Sequence, residues 1–147
     1  MFHRRLRLAP IAFTALWLLS VGGAHAGEWF QDGRIGAGID LIHERGTPMV
    51  SAALYPASLM AWNDNFGVGL TYPIGPRVGW NAGLGGILVR REDGNVGTRL
   101  NFLLRLSYCG EKLCLSFAHI SHGSGIGIRD DAANSGLNFL FLEYRYR

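Results

Sequence analysis

The sequence after residue 26 lacks any long hydrophobic run. No segment there approaches about 18 consecutive apolar residues, so a helical membrane protein is excluded. Internal repeats and low-complexity segments are also absent. Lysine occurs once, at Lys112, although the 147-residue chain carries a formal net charge of +3. Part of that charge comes from Arg4, Arg5 and Arg7 at the amino terminus, and no basic patch remains that would favour nucleic-acid binding.

The first 26 residues have the three parts of a secretory signal peptide. The basic start, residues 1–7, is followed by a largely apolar run over residues 8–21, and Ala24-His25-Ala26 then has the form of a cleavage site. The alternative is an uncleaved membrane anchor, for which the apolar run is short, because a spanning helix needs about 20 residues. We therefore expect a signal peptide at residues 1–26 and one exported domain at residues 27–147.

The rest of the sequence is rich in glycine and alternates between apolar and polar residues. Glycine accounts for 21 residues of the chain. From Thr98 to Tyr108 the even positions are mostly apolar, while the odd positions include Arg99 and Arg105. This alternation fits a strand with lipid on one side and a polar lumen on the other. A soluble barrel or sandwich, the alternative, would bury the apolar face and leave the arginines in water.

The same alternation recurs in segments that are separated by turn sequences. These turns include Gly46-Thr47-Pro48, Asn63-Asp64-Asn65 and Gly110-Glu111-Lys112. Seven strands are clear, and single-chain bacterial barrels have even strand numbers, so we expect an eighth in Met49–Trp62 or in Glu28–Gln31. The predicted fold class is therefore all-β, a transmembrane antiparallel barrel of eight strands.

The predicted inner face carries most of the charged side chains of these strands. We expect arginines and carboxylates to meet in the lumen, namely Arg34, Arg77, Arg99, Arg105 and Arg145 with Asp40 and Glu143. An eight-stranded barrel is just wide enough for side chains to fill its interior. The lumen is thus expected to be packed and not to form a pore.

His119 and Ser121 are polar residues on a face that is otherwise apolar. They end the segment Leu113–Ser121 and, because side chains in a strand alternate, they share a face with Leu115 and Phe117. Unpaired polar groups in hydrocarbon cost several kcal/mol, so a pair kept there indicates a function on lipid. With both termini in the periplasm, this strand ends at the extracellular rim, and residues 122–136 form an external loop.

Cys109 and Cys114 flank the predicted turn at residues 110–112, at the periplasmic end of the barrel. In an oxidising compartment they could close a hairpin disulfide. The alternative is a pair of buried or lipid-facing free thiols. Neither interpretation gives the cysteines a catalytic role.

The carboxyl-terminal part of the sequence resembles the lipid A 3-O-deacylase (PagL) family. The resemblance rests on Ser116–Gly123, which contains His119-Ile120-Ser121, and on Asn134–Asn138, which opens the closing aromatic strand. That family carries an H-x-S-N motif at the end of the seventh strand of an eight-stranded barrel, and an N-x-G-x-E segment opens the eighth. The resemblance implies an outer-membrane serine esterase that hydrolyses an ester-linked acyl chain of lipid A in lipopolysaccharide.

The resemblance also implies roles for individual residues. Ser121 matches the nucleophile and His119 the general base, while Asn134 would help to form an oxyanion site with backbone N–H groups near Gly123. This chemistry requires no metal and no organic cofactor. The partner would be lipopolysaccharide in the outer leaflet, whose phosphates could contact external-loop arginines that are otherwise merely solvated: Arg90, Arg91 and Arg129. A homodimer is left open.

Two positions depart from the family pattern. The asparagine after the serine is His122 here, and the glutamate that orients the histidine is replaced by Asn138. Asn138 lies on the lipid-facing side by alternation and could fix the tautomer of His119, although it cannot stabilise an imidazolium by charge. Glu143 is expected in the lumen and is no substitute, whereas the loop carboxylates Asp130 and Asp131 could reach the histidine.

Three functional hypotheses follow from the sequence. The first is a hydrolase with His119, Ser121 and Asn138 at its centre. The second is a structural or lipid-binding barrel without activity, in which Asn138 marks a decayed site. The third is acyl transfer, which differs from hydrolysis in that no free fatty acid is released.

Overall fold

The computed structural model describes residues 32–41, 46–92, 96–122 and 136–146. These residues form eight strands: β1 Gly33–Asp40, β2 Pro48–Leu54, β3 Ala57–Trp62, β4 Asn65–Ile74, β5 Gly79–Val89, β6 Leu100–Cys109, β7 Leu113–Ser121 and β8 Leu137–Arg145. Each strand pairs antiparallel with the next, and β8 pairs with β1 to close the barrel. The expected signal peptide lies outside the described residues. In the described ranges no helix is long and apolar enough to cross a membrane.

The eighth strand lies in Met49–Trp62, one of the two segments in which the sequence predicted it. This segment is a hairpin in which β2 and β3 are joined by a two-residue turn at Tyr55 and Pro56. Met49 pairs with Trp62 at the far end of the hairpin. The prediction of an eight-stranded antiparallel barrel is therefore confirmed.

The outer surface of the barrel is apolar on every strand. Large hydrophobic side chains are exposed all round it, for example Ile35, Val50, Leu59, Val68, Leu84, Leu104, Leu115 and Leu142 on β1 to β8. Such exposure would be unfavourable in water, and large contiguous apolar patches are accordingly rare on soluble proteins. The surface is that of a membrane barrel, and the soluble alternative is wrong.

A buried charge network fills the half of the lumen nearest the chain ends. Asp32, which precedes β1, accepts hydrogen bonds from Arg34 Nε at 2.7 Å, from Arg145 Nε at 3.0 Å and from Arg77 Nη2 at 3.2 Å. Asp32 and Arg34 are fully buried. Strand alternation predicted these three arginines in the lumen, whereas Asp32 was not predicted as their partner.

Glu143 is the second carboxylate of this network. Its carboxylate accepts hydrogen bonds from Arg105 and, at 2.7 Å, from the hydroxyl of Ser116. Arg34 lies 3.7 Å away and links the two carboxylates into one cluster. The side chain of Glu143 therefore lies in the lumen, as predicted. Asp40 is also buried, at the opposite end of β1.

The other half of the lumen is mostly apolar, although Asp40 and Asn101 are also buried there. Its apolar residues form one buried cluster: Met49, Met60, Trp62, Ile87, Val89, Val96, Leu103, Ala118, Ile120, Leu137, Phe139 and Phe141. Trp62 and Phe139 pack with their ring centroids 5.6 Å apart. Side chains thus fill this half of the barrel by hydrophobic packing, which agrees with the expectation of a packed interior.

Arg99 lies outside the lumen, so its predicted place there is wrong. It is exposed just before β6, which begins at Leu100. Its backbone carbonyl still accepts a hydrogen bond from Val89 N, so it stands at the rim of the β5–β6 hairpin. Strand alternation assigned it inward, but Arg99 precedes the first residue of β6, so the alternation of that strand does not yet apply to it.

Cys109 and Cys114 form a disulfide, which decides between the two interpretations of the sequence. They are directly opposite each other in the β6–β7 pairing and both are buried. The bond joins the two strands at the end of the barrel where the chain termini lie. It is remote from His119 and Ser121, which are at the opposite end of β7.

Candidate active site on the lipid-facing surface

His119 and Ser121 face outward at the end of β7. Both side chains are partly exposed, whereas their neighbours Ala118 and Ile120 are fully buried in the lumen. This alternation confirms the predicted orientation of the pair. Because β7 runs away from the end that holds the termini, the pair lies near the opposite rim of the barrel.

Asn138 lies beside His119 on the neighbouring strand. The two residues are register partners in the β7–β8 pairing, and Nδ1 of His119 is 2.8 Å from Oδ1 of Asn138. A carboxamide oxygen only accepts hydrogen bonds, so Nδ1 carries the proton in this contact. In the neutral imidazole this leaves Nε2 as the nitrogen with a free lone pair, which can act as a base. Strand alternation predicted Asn138 on this face, and the structure brings the two side chains together.

The strands that carry the site are backed by the apolar half of the lumen. Ile120, Leu137 and Phe139 alternate with the outward-facing residues and are at most 2% exposed. Interiors packed in this way hold the backbone closely, since displacing it would open cavities. The site is therefore built on two paired strands whose reverse side is buried and apolar.

Ser121 shares the outward face with His119 without being hydrogen-bonded to it. Among the described residues its hydroxyl has no hydrogen-bond partner, and its register partner across the β6–β7 pairing is Phe102. Two residues along a strand span about 7 Å between Cα atoms, which is within reach of an imidazole and a hydroxyl. Catalytic hydrogen bonds are often formed only when substrate is bound.

The structure does not describe the remaining predicted site residues. Gly123 and Asn134 fall in residues 123–135, as do Arg129, Asp130 and Asp131. His122 is buried at the end of β7. In the parts of the chain that are described, no group of histidine, cysteine or acidic residues could hold a metal ion.

Gly136 is a residue of the site that the sequence analysis did not identify. It precedes β8 with a φ of +69° and lies against the segment that contains His119 and Ser121. The only sequence signal was its place between Asn134 and Asn138 in the N-x-G segment. A pattern of residue types does not reveal which backbone atoms a glycine approaches.

The arginines at the same rim have different environments. Arg91 forms an ion pair with Asp64, and its backbone is held by Asn65, which donates to Arg91 O and accepts from Arg91 N. The guanidinium of Arg90 lies 5.9 Å from the ring centroid of Phe66, a lipid-facing residue, and makes no ion pair in the described chain. Arg90 is therefore an exposed cation at this rim of the described chain, as is Arg99.

Comparisons with known proteins add little to this geometry. No family model and no curated protein matches the chain. A match among solved structures is the de novo designed TMB2.3, determined by solution NMR, at 17% sequence identity with a TM-score of 0.43. The match covers 79% of this chain and 93% of the designed one. At this similarity it carries no argument about function, which rests on the residues themselves.

Proposed function

We propose that this protein is an outer-membrane serine esterase that removes an ester-linked acyl chain, from the 3-O position, of lipid A in lipopolysaccharide. The observation that carries the proposal is the His119–Asn138 hydrogen bond of 2.8 Å on the lipid-facing surface. This bond orients an imidazole beside a serine on a surface that membrane lipids would contact.

The position of the pair supports a lipid substrate. Below it on the same face lie Leu104 and Leu115, both exposed to the membrane, and Phe117. Acyl chains of a bound lipid would contact these side chains, while its sugar and phosphates would lie at the rim. The ester bonds of such a lipid would lie between these two zones, and Ser121, at the end of β7, would be placed to meet one of them.

The proposed reaction follows from the tautomer of His119. Nε2 takes the proton of Ser121 as Oγ bonds to the ester carbonyl carbon, and the oxyanion forms. The bond between that carbon and the sugar oxygen then breaks, and the imidazolium gives its proton to the departing oxygen. Water attacks the acyl-serine in the same way, which releases a fatty acid and restores the hydroxyl. Asn134 and the backbone near Gly123 would donate to the oxyanion.

The second candidate is a barrel without activity, which binds lipid or is structural. Two observations favour it, the first being that the hydroxyl of Ser121 is not hydrogen-bonded to His119. The partner of the histidine is also an amide, which supplies no negative charge to stabilise the imidazolium. Acyl transfer, the third hypothesis, uses the same acyl-serine and differs in its acceptor.

The deciding experiment is mass spectrometry of lipid A from cells that express the protein or its Ser121→Ala variant. We expect loss of one hydroxyacyl unit only with the intact serine, together with free fatty acid, and a decrease in rate of roughly 10³-fold or more in the variant. The change in SDS-gel mobility on heating serves as the check that both barrels are folded. Identical lipid A from two folded barrels would overturn hydrolysis, and a lost acyl chain without free fatty acid would indicate transfer.

A further inference from the structure

Gly136 lies where a side chain would collide with the candidate catalytic residues. A Cβ atom built on it would be 2.5 Å from the carbonyl oxygen of Ile120, 2.9 Å from Cε1 of His119 and 3.1 Å from Cβ of Ser121. Real Cβ atoms essentially never lie within 3.0 Å of such neighbours. The backbone at Gly136 therefore occupies the space directly beside both side chains.

We propose that Gly136 is a positioning residue, whose missing side chain lets β8 begin close enough to β7 for His119 and Ser121 to keep their working orientation. This inference rests on the proposed esterase function. The carbonyl of Ile120 lies between the two residues in the chain, so a group that displaces it moves both. The ring atom Cε1 lies between the two ring nitrogens, so pressure on it rotates the imidazole away from Asn138 or Ser121.

An alanine at this position would change the geometry of the site without removing any of its functional groups. Misplacement by about 1 Å is enough to reduce a rate by about 10²-fold, because attack needs aligned atoms. We expect Gly136→Ala to lower kcat by about that factor and to leave KM unchanged, since lipid contacts along the barrel wall are not altered. A residue needed only for barrel stability would lower the amount of folded protein and not the kcat of the folded fraction.

Backbone strain must be separated from the steric effect, because Gly136 has a positive φ. Gly79 provides the matched control, since its φ is +92° and a Cβ on it would meet nothing within 4 Å. Gly79→Ala therefore adds the strain without the collision. Gly136→Asn adds the collision with less strain, because asparagine tolerates this conformation, as Asn63 does at φ 47°.

The experiment compares wild type, Gly136→Ala, Gly136→Asn and Gly79→Ala in detergent micelles. Fatty-acid release from lipid A gives kcat and KM. Histidine labelled with ¹³C at Cε1 gives a second signal that does not depend on activity, and His119→Gln assigns the resonance of His119. We expect both Gly136 variants to lose kcat and to shift that resonance, while Gly79→Ala does neither.

Three results would overturn the inference. One is a kcat of both Gly136 variants close to that of Gly79→Ala, and another is recovery in Gly136→Asn, which would assign the effect to strain. The third is failure of both Gly136 variants to fold while Gly79→Ala folds, which would make Gly136 a residue of the barrel and not of the site. Wild-type protein that is folded but inactive would instead refute the proposed esterase function. The His119 resonance would still test the positioning role of Gly136.

Discussion

Arg145 of the last strand donates a hydrogen bond of 3.0 Å to Asp32, which precedes the first strand. The same carboxylate binds Arg34 on β1 and Arg77 in the β4–β5 turn. The two ends of the barrel wall are thus joined inside the lumen, in addition to the β1–β8 hydrogen bonds. A buried charge that three guanidinium groups share cannot be removed without leaving positive charge in a region of low dielectric.

Asp32→Asn should therefore destabilise the barrel by about 3–5 kcal/mol, the usual cost of breaking a buried ion pair. Asp64→Asn is the control, because that carboxylate is 78% exposed and pairs with Arg91 at the surface. Exposed pairs contribute at most about 1 kcal/mol. Urea unfolding in phospholipid vesicles measures both. Equal losses in the two variants would show that the luminal network does not hold the barrel together.

Arg90 should recognise the phosphate of the substrate from the rim of the barrel. We expect Arg90→Gln to raise KM about tenfold with kcat unchanged. The substitution removes a charge-assisted hydrogen bond, whose contribution is reduced by solvent exposure. Arg91→Gln is the control, since that guanidinium already pairs with Asp64. Kinetics on phosphorylated and dephosphorylated lipid A measure the effect. A defect of the same size on the dephosphorylated lipid would contradict phosphate recognition by Arg90.

Strand alternation was sufficient to predict most of the barrel wall. In β6 the residues from Leu100 to Tyr108 face lipid at every second position, as the sequence pattern indicated. The prediction works because lipid accepts only apolar side chains, so one face of each strand is strongly constrained. It failed at Arg99, where the strand has not yet begun, and alternation there no longer fixes the direction of a side chain.

The interior of the barrel was less predictable than its wall. A closed lumen can be filled by ion pairs, as around Asp32, or by apolar packing, as around Phe139, and strand alternation is the same in both cases. The contact between His119 and Asn138 was predictable because alternation placed both on the same outward face. Gly136 was not, since its role depends on the register of β7 and β8 and on a positive φ.

Asn138 should control the rate of the proposed reaction through the orientation of His119. Asn138→Ala removes the partner of Nδ1, and we expect kcat to fall by roughly 10²-fold, the lower end of what a positioned general base contributes. Asn138→Asp keeps the shape and adds a negative charge beside the imidazolium, so kcat should rise above wild type. Asn101→Ala is the control, because that asparagine is buried in the lumen. Fatty-acid release from lipid A by folded protein measures all three. An Asn138→Asp variant as slow as Asn138→Ala would show that the 2.8 Å contact does not orient a working base.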